Sequence, residues 1–168
     1  MTIPKESLYL EKGLGYGRIA EHSPITNIRS FAAEGTDLKF GRAAMDGTDP
    51  EKQVKLYASQ TGKFRGVIGY STEAGDLDNE LYEDEDVCAV IDQGVVTVFI
   101  EEAVTDITTQ SVRVRTDTSG ITGTAGNFRV TSDAGNTVVV SGAEWRSEGA
   151  SGTSVKLYLS PPFSITAD

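Results

Sequence analysis

Asp76, Asp78 and Glu80, three carboxylates at alternate positions, are the residues whose type and spacing come nearest to a chemical site. Calcium takes up oxygen donors in such a pattern, but the calcium loop held between two helices also needs a glycine at its sixth place and a glutamate at its twelfth. Counted from Asp76, those places hold Leu81 and Val87, so the motif fails at both. An irregular calcium site from Asp76, Asp78, Glu83 or Asp84 stands against a solvated acidic loop; the loop is the reading adopted, with no metal and no cofactor. Glycosidase chemistry needs two carboxyl groups roughly 5 to 10 Å apart. Sugar clefts also use tryptophan freely, and Trp145 is the one tryptophan here. A serine or cysteine triad needs a base, and the one imidazole, His22, follows a glycine-rich stretch. Cys88 has no second cysteine to pair with and lies in an apolar run, which reads as a buried, inert thiol. The segment GLGYGR lacks the Lys-Ser/Thr of a phosphate loop. No catalytic residue is assigned, and an enzyme is not expected.

Charge is more informative than any motif. Between Gly66 and Ser111 there is no lysine or arginine, yet twelve of the 25 acids lie there. The other 13 acids face all 15 bases, so the whole negative excess is local. Such a surface repels nucleic acid and repels its own copies. Asp76, Asp78, Glu80, Glu83, Asp84, Glu85 and Asp86 are expected to form a loop that faces solvent. Arg113, Arg115, Arg129 and Arg146 could form a basic face, but nucleic-acid binding would need support from an overall positive field. The alternative is pairing with carboxylates of a partner or of this chain. Trp145, beside Arg146, either anchors an interface or packs against the edge of the domain. No run approaches the roughly 18 apolar residues of a membrane helix. The first twenty residues carry no apolar core of signal-peptide length, so neither membrane nor secretion signal is expected.

The elements that would position these residues read as strands. Residues 1–24 are poorly periodic, with Gly13, Gly15 and Gly17 at alternate positions, and suggest an extended arm ahead of a single β domain at 25–168. Its Leu8, Tyr9, Leu10, Leu14, Tyr16 and Ile19 fit either a terminus with a first strand at 8–10 or an arm that docks on a neighbouring subunit. Leu38, Phe40 and Arg42 alternate; Val54, Leu56 and Ala58 oppose Lys55 and Tyr57. In FRGVIGY (64–70), Gly66 and Gly69 suggest a bulge or a close backbone approach. Asp92-Gln93-Gly94 reads as a hairpin between 87–91 and 95–100, and VVTVFI, apolar on both faces, belongs at the centre of a sheet. In SVRVRT (111–116), Val112 and Val114 are expected inward, Arg113 and Arg115 outward. Strands follow at 128–131, 137–140 and 155–159, with a turn at 133–136, a polar loop at 116–126 and Pro161-Pro162 ending the last strand. Leu77 and Leu81 mark the one helical candidate, but the acid density there favours a loop. The segments QVKLYAS (53–59) and SVKLYLS (154–160) echo each other as any two half-buried strands do. About ten short strands between turn signals predict an all-β sandwich or jelly-roll-like barrel.

From Leu38 to Ile165 the chain resembles the structural cement, or head decoration, proteins of tailed bacteriophages. The resemblance is carried in order by FGRAAM (Phe40–Met45), FRGVIGY (Phe64–Tyr70), an acidic loop leading through Asp92-Gln93-Gly94 into VVTVFIEEAV (Val95–Val104), SVRVRT, GNFRV (Gly126–Val130), GAEWRSEGASG (Gly142–Gly152) and PPF (Pro161–Phe163). A glycine-rich N-terminal arm is in keeping with it. The chain departs from the pattern at Thr105–Gln110, where relatives often turn on proline or glycine. The resemblance implies a non-enzymatic virion protein, made in the bacterial host cytoplasm, on the outer capsid surface. It would contact the major capsid protein where capsomers meet, as a dimer or trimer, and reinforce the expanded shell. Interface residues would be Tyr9, Leu14, Tyr16 and Ile19 in the arm, with Trp145 and Arg146. The competing reading is a carbohydrate- or receptor-binding β-sandwich of a phage tail, which would need an aromatic platform.

Overall fold

The computed structural model describes residues 15–21, 25–72, 74, 76–117, 124–133 and 135–168. Its spine is one long strand. β8 (Val87–Phe99) runs through the segment read as a hairpin, without reversing at Asp92-Gln93-Gly94. Gly94 serves a bend instead: it has φ +112°, and a Cβ there would sit 2.8 Å from the Thr26 hydroxyl oxygen. The chain has no reason to turn back, because both halves of β8 find partners along both edges.

The first half of β8 closes a barrel. β2 (Asn27–Ala33) lies antiparallel along one edge from Gln93 to Val87, and β6 (Phe64–Ile68) lies along the other at Ile91 and Val90. β4 (Ala43–Asp46) and β5 (Gln53–Leu56) complete the five-strand ring in the order β8-β2-β5-β4-β6. Gly66 makes the closure possible, as the sequence anticipates. Its φ is +141°, and a Cβ would stand 2.3 Å from the carbonyl oxygen of Ile91. Inside are Ala33, Ala44, Val54, Ile68, Cys88 and Val90, capped by Leu38, Phe40 and Tyr82. Leu38 and Tyr82 face each other in the two-stranded ladder of β3 (Leu38–Lys39) and β7 (Leu81–Tyr82), and Phe40 follows β3 directly. Tyr57 corrects the expected alternation: β5 ends at Leu56, and Tyr57 turns fully inward with its hydroxyl donating to Gly62 O at 2.9 Å.

The second half of β8 belongs to a larger sheet. β12 (Ser154–Ala167) pairs with it from Gly94 to Phe99, then β11 (Thr137–Trp145), β9 (Arg113–Arg115) and β10 (Phe128–Arg129) follow outward. A parallel bridge between Ile100 and Phe128 brings this sheet back to the end of β8. Valines from β8, β9, β11 and β12 fill it: Val96, Val98, Val114, Val138, Val140 and Val155, with Leu157 and Leu159. Each such side chain contributes about 1.5–3 kcal/mol on burial. β12 also corrects an expectation, because it passes through Pro161-Pro162. Ser141 pairs with Ser164 and Ala143 with Leu159, so residues 160–163 bulge opposite Gly142. Prolines there forfeit no ladder hydrogen bond.

The architecture is therefore all-β, as predicted. It is a five-strand barrel joined to a larger sheet through a shared strand, with twelve strands among the described residues, two of them long, rather than about ten short ones.

Candidate functional site

The acidic stretch is divided by the fold. Asp78, Glu80, Glu83, Glu85 and Asp84 are exposed around β7, at the end of the barrel where β8 begins, while Asp76 and Asp86 are half-buried. Residues 77–80 form a turn, not a helix. Asp76 caps it, accepting from the Asn79 amide at 3.0 Å and from its side-chain Nδ2 at 2.7 Å, and these bonds hold its carboxyl below the usual range. The Gly35 amide donates to Asp84 at 2.8 Å, and the Glu83 amide to Asp86 at 2.8 Å. These carboxylates shape their own loop. Among the described residues no group of three or more His, Cys, Asp or Glu is placed to hold a metal ion.

Asp92, Glu101 and Glu102 of the same stretch are matched by arginine, whereas Asp106 accepts from Thr108 and Thr109. Arg29 meets Asp92 at 2.8 Å. Glu101 meets Arg115 at 2.9 Å and Arg129 at 3.0 Å, with all three side chains at most 7% exposed. Glu102 pairs with Arg129 and accepts from the amide and hydroxyl of Thr131. Burial pushes the Glu102 carboxyl up, but the Thr131 bonds and Arg129 outweigh it and hold the group below its ordinary value. Arg113 pairs with Asp168 at 2.9 Å. The basic face thus resolves as pairing within the chain. Arg115, expected outward, is buried at 4% exposure because Glu101 and Asp133 come over it. Burial disfavours its charge, and those two carboxylates more than restore it. Arg42 joins this cluster to the barrel: it stacks on Phe99 with 3.7 Å to the ring centroid and donates to Asn127. Burial lowers the Arg42 pKa to about 10.

Of the predicted arm contacts, Tyr9 and Leu14 lie outside the described residues, as does His22. Tyr16 and Ile19 pack on their own chain. Tyr16 meets Phe99 edge-on at 5.4 Å, and Ile19, in β1 (Ile19–Glu21), pairs with Val96. The Gly17 amide donates to Thr97 O, and its carbonyl accepts from the Tyr70 amide, both at 2.8 Å. Trp145 is 2% exposed and donates to Ser111 O at 3.4 Å, so its ring packs in the core and offers no platform. Arg146 is half-exposed over Tyr158, 4.7 Å from the ring centroid, and meets Glu144 at 3.5 Å. Cys88 is fully buried, and burial pushes its thiol up to about 12.

The sequence reading missed one surface. Ile28, in β2, is 49% exposed and borders a cleft of about 310 Å³ with Ile19, Tyr70, Ala89 and Ile91. The signal available was Ile25 just before, and Ile28 within, the strand-like segment NIRSFAA (27–33).

The sequence matches the profile of a phage family described as structural cement protein (E217 gp24/Pam3 gp6) over residues 7–160. No curated protein matches it. Among solved structures, the fold is similar to a chain of the capsid of Myoviridae phage XM1, with a TM-score of 0.71 at 18% identity, covering 95% of this chain and 98% of that one. A chain of the head fiber gp8.5 N base of bacteriophage phi29 aligns at a TM-score of 0.41 and 11% identity, over 80% of this chain and 94% of that one. The likeness to the XM1 capsid chain, at 18% identity, is one of fold, whereas the profile match spans nearly the whole chain: the protein belongs to the phage structural cement protein family and is a structural protein of the phage virion.

Proposed function

We propose that this protein binds the outer surface of the phage head between capsomers, contacts the major capsid protein and stabilises the expanded shell. The observation that carries this reading is the family match over residues 7–160. The division of charge supports it. The exposed carboxylates of Asp78, Glu80, Glu83, Asp84 and Glu85 gather at one end, while those of Glu101, Glu102 and Asp92 are neutralised within the chain. A protein so charged docks through its near-neutral side and keeps the acidic end in solvent, where it disfavours stacking of further copies. Many copies of a weak contact, fixed by the symmetry of a shell, give strong avidity. Residues 1–24 act as the arm of a body at 25–168, with Tyr9 and Leu14 as contacts beyond the part of the arm that Tyr16 and Ile19 anchor. Arg146, backed by buried Trp145, extends the interface, and the protein acts as a dimer or trimer at a symmetry position of the shell.

Co-sedimentation with emptied, expanded heads and with unexpanded shells tests this. Saturable binding to expanded heads, at a copy number matching the lattice, is expected. Absence of binding to both in moderate salt would remove the cement role.

A further inference from the structure

We propose that the outer edge of β2 accepts the N-terminal segment of a second copy of this chain as an added strand, with an apolar side chain of Leu8–Tyr9–Leu10 entering the cleft beside Ile28. It deepens the arm reading above by naming the acceptor, and takes from it only that the arm makes contacts outside its own body.

The edge is open in a defined register. The Ala33 amide and carbonyl face β8, bonding Asp86 O and the Glu85 amide at 2.8 Å. The Ala32 amide faces the opposite way and donates to Lys52 O. By the same alternation Ile28 and Ser30 turn their N–H and C=O groups outward, where β5 no longer reaches, since it pairs only with Ala32 and Ala33. No described residue pairs with the main chain of Ile28 or Ser30 on that side. An unpaired edge beside an apolar cleft fits an extended strand: the backbone supplies the bonds and every second side chain a contact. The cleft walls from Ile19, Ile28, Tyr70, Ala89 and Ile91 suit leucine or the ring of tyrosine.

The occupant follows from the chain that precedes Gly15. Those fourteen residues include Leu8, Tyr9 and Leu10 in SLYLE, and their two lysines and two glutamates cancel, so they bring no net side-chain charge to the acidic body. Reach favours another copy. Gly15 is fastened at Thr97, whose hydroxyl donates to Gly15 O at 2.6 Å, while Ile28 pairs with Ile91, six positions along β8. A reversal at Gly15 uses about two residues. On that path the chain's own Leu8–Leu10 would stop short of Ile28, and only Ser7 or earlier residues would come level with it. The same triplet from a second copy meets no such limit.

The test uses full-length chains carrying one new cysteine each: Leu10→Cys in one preparation and Ser30→Cys in the other. Cys88 is fully buried and stays out of the reaction. The two are mixed under mild oxidation, in solution and on expanded heads, and head binding is scored on the same samples. The expected result is a mixed disulfide dimer as the main covalent product, lost when Ile28→Asp is added to the Ser30→Cys chain. Head binding without a mixed product overturns this contact and leaves the cement role standing. A mixed product without head binding does the reverse. A third chain carrying both Leu10→Cys and Ser30→Cys is oxidised alone: if it closes on itself while the mixture of single variants gives nothing, the occupant is the same chain and the proposal fails. A mixed product that survives Ile28→Asp also overturns it, because the cleft would then take no part.

Discussion

The barrel and the larger sheet share β8 but handle charge in opposite ways. At the barrel end, Asp78, Glu80, Glu83, Asp84 and Glu85 project into water, while half-buried Asp76 and Asp86 accept from nearby main chain. At the sheet end, Glu101 and Glu102 are drawn between Arg115 and Arg129. One run of like charge in sequence is therefore two different objects in space. The first tunes how the surface meets other molecules; the second ties strands that are far apart along the chain. Substitutions should separate them sharply.

The largest effect is expected at Glu101. Replacing it by leucine strips two arginines, at 5% and 7% side-chain exposure, of their shared carboxylate. Breaking a buried pair costs about 3–5 kcal/mol, and the lower end applies here because Arg115 keeps Asp133 and Arg129 keeps Glu102. Urea unfolding should register that loss. Adding Arg115→Leu and Arg129→Met should return much of it, because an apolar replacement of the whole cluster removes the stranded charges. A loss below about 1 kcal/mol for the single change would mean that water already screens the cluster.

A pair of glycines sharpens the contrast between closure and mere backbone freedom. Gly66 and Gly35 both have positive φ, +141° and +99°. At Gly66 a Cβ collides with Ile91 O; at Gly35 it meets nothing within 4 Å. Gly66→Ala should cost about 1–3 kcal/mol or more through forced strain at the closure, and Gly35→Ala about 1 kcal/mol. Equal losses, by thermal or urea unfolding, would show that the barrel seam relaxes freely.

Acid should loosen the sheet end next. The folded-state pKa of Glu102 lies below its ordinary value of 4.5. Its contribution is thus complete above the unfolded pKa and is lost as pH falls through the lowered folded value. Because the side chain is 29% exposed, the contribution is modest, about 1 kcal/mol. Melting curves from pH 6 downward should fall less steeply for Glu102→Gln than for the parent. Parallel curves would assign the acid sensitivity to other carboxylates.

These regions also differ in how far they could be read in advance. Alternation revealed Val112 and Val114, and the glycines of FRGVIGY announced the close approach at Ile91. Arg115 was misread because a period of two only reports that a residue faces away from its valine neighbours. It cannot report that Glu101, fourteen positions earlier, covers that face. Asp92-Gln93-Gly94 was misread because glycine with positive φ serves a bend as well as a reversal, and only the partners on the two edges of β8 decide between them. The prolines were misread for a related reason: they end a strand unless they fall within a bulge of it, as they do at residues 160–163 opposite Gly142. The exposure of Asp78, Glu80, Glu83, Asp84 and Glu85 was legible because a local excess of one charge favours solvent; the half-buried setting of Asp76 and Asp86 was not, since it comes from main-chain amides that they accept from. The open edge at Ile28 was not, since edge and centre strands differ in their neighbours rather than in their own residues.

The smallest effect should come from the barrel end. Asp78→Asn, Glu80→Gln, Glu83→Gln and Glu85→Gln together remove four exposed charges while keeping side-chain shape. None of the four carboxylates is paired with a base across a described ion pair, and surface changes away from such features stay within about 0.5 kcal/mol each. Relief of mutual repulsion should make the sum slightly stabilising, most clearly at low ionic strength, where screening is weakest. Unfolding in 10 mM and in 500 mM salt, about 30 Å and under 5 Å of Debye length respectively, would show it: the advantage of the quadruple variant should shrink as salt rises. A marked destabilisation instead would mean that these carboxylates hold the turn at 77–80 and the β3–β7 ladder together, which would make the two ends of the molecule alike in using charge as structure.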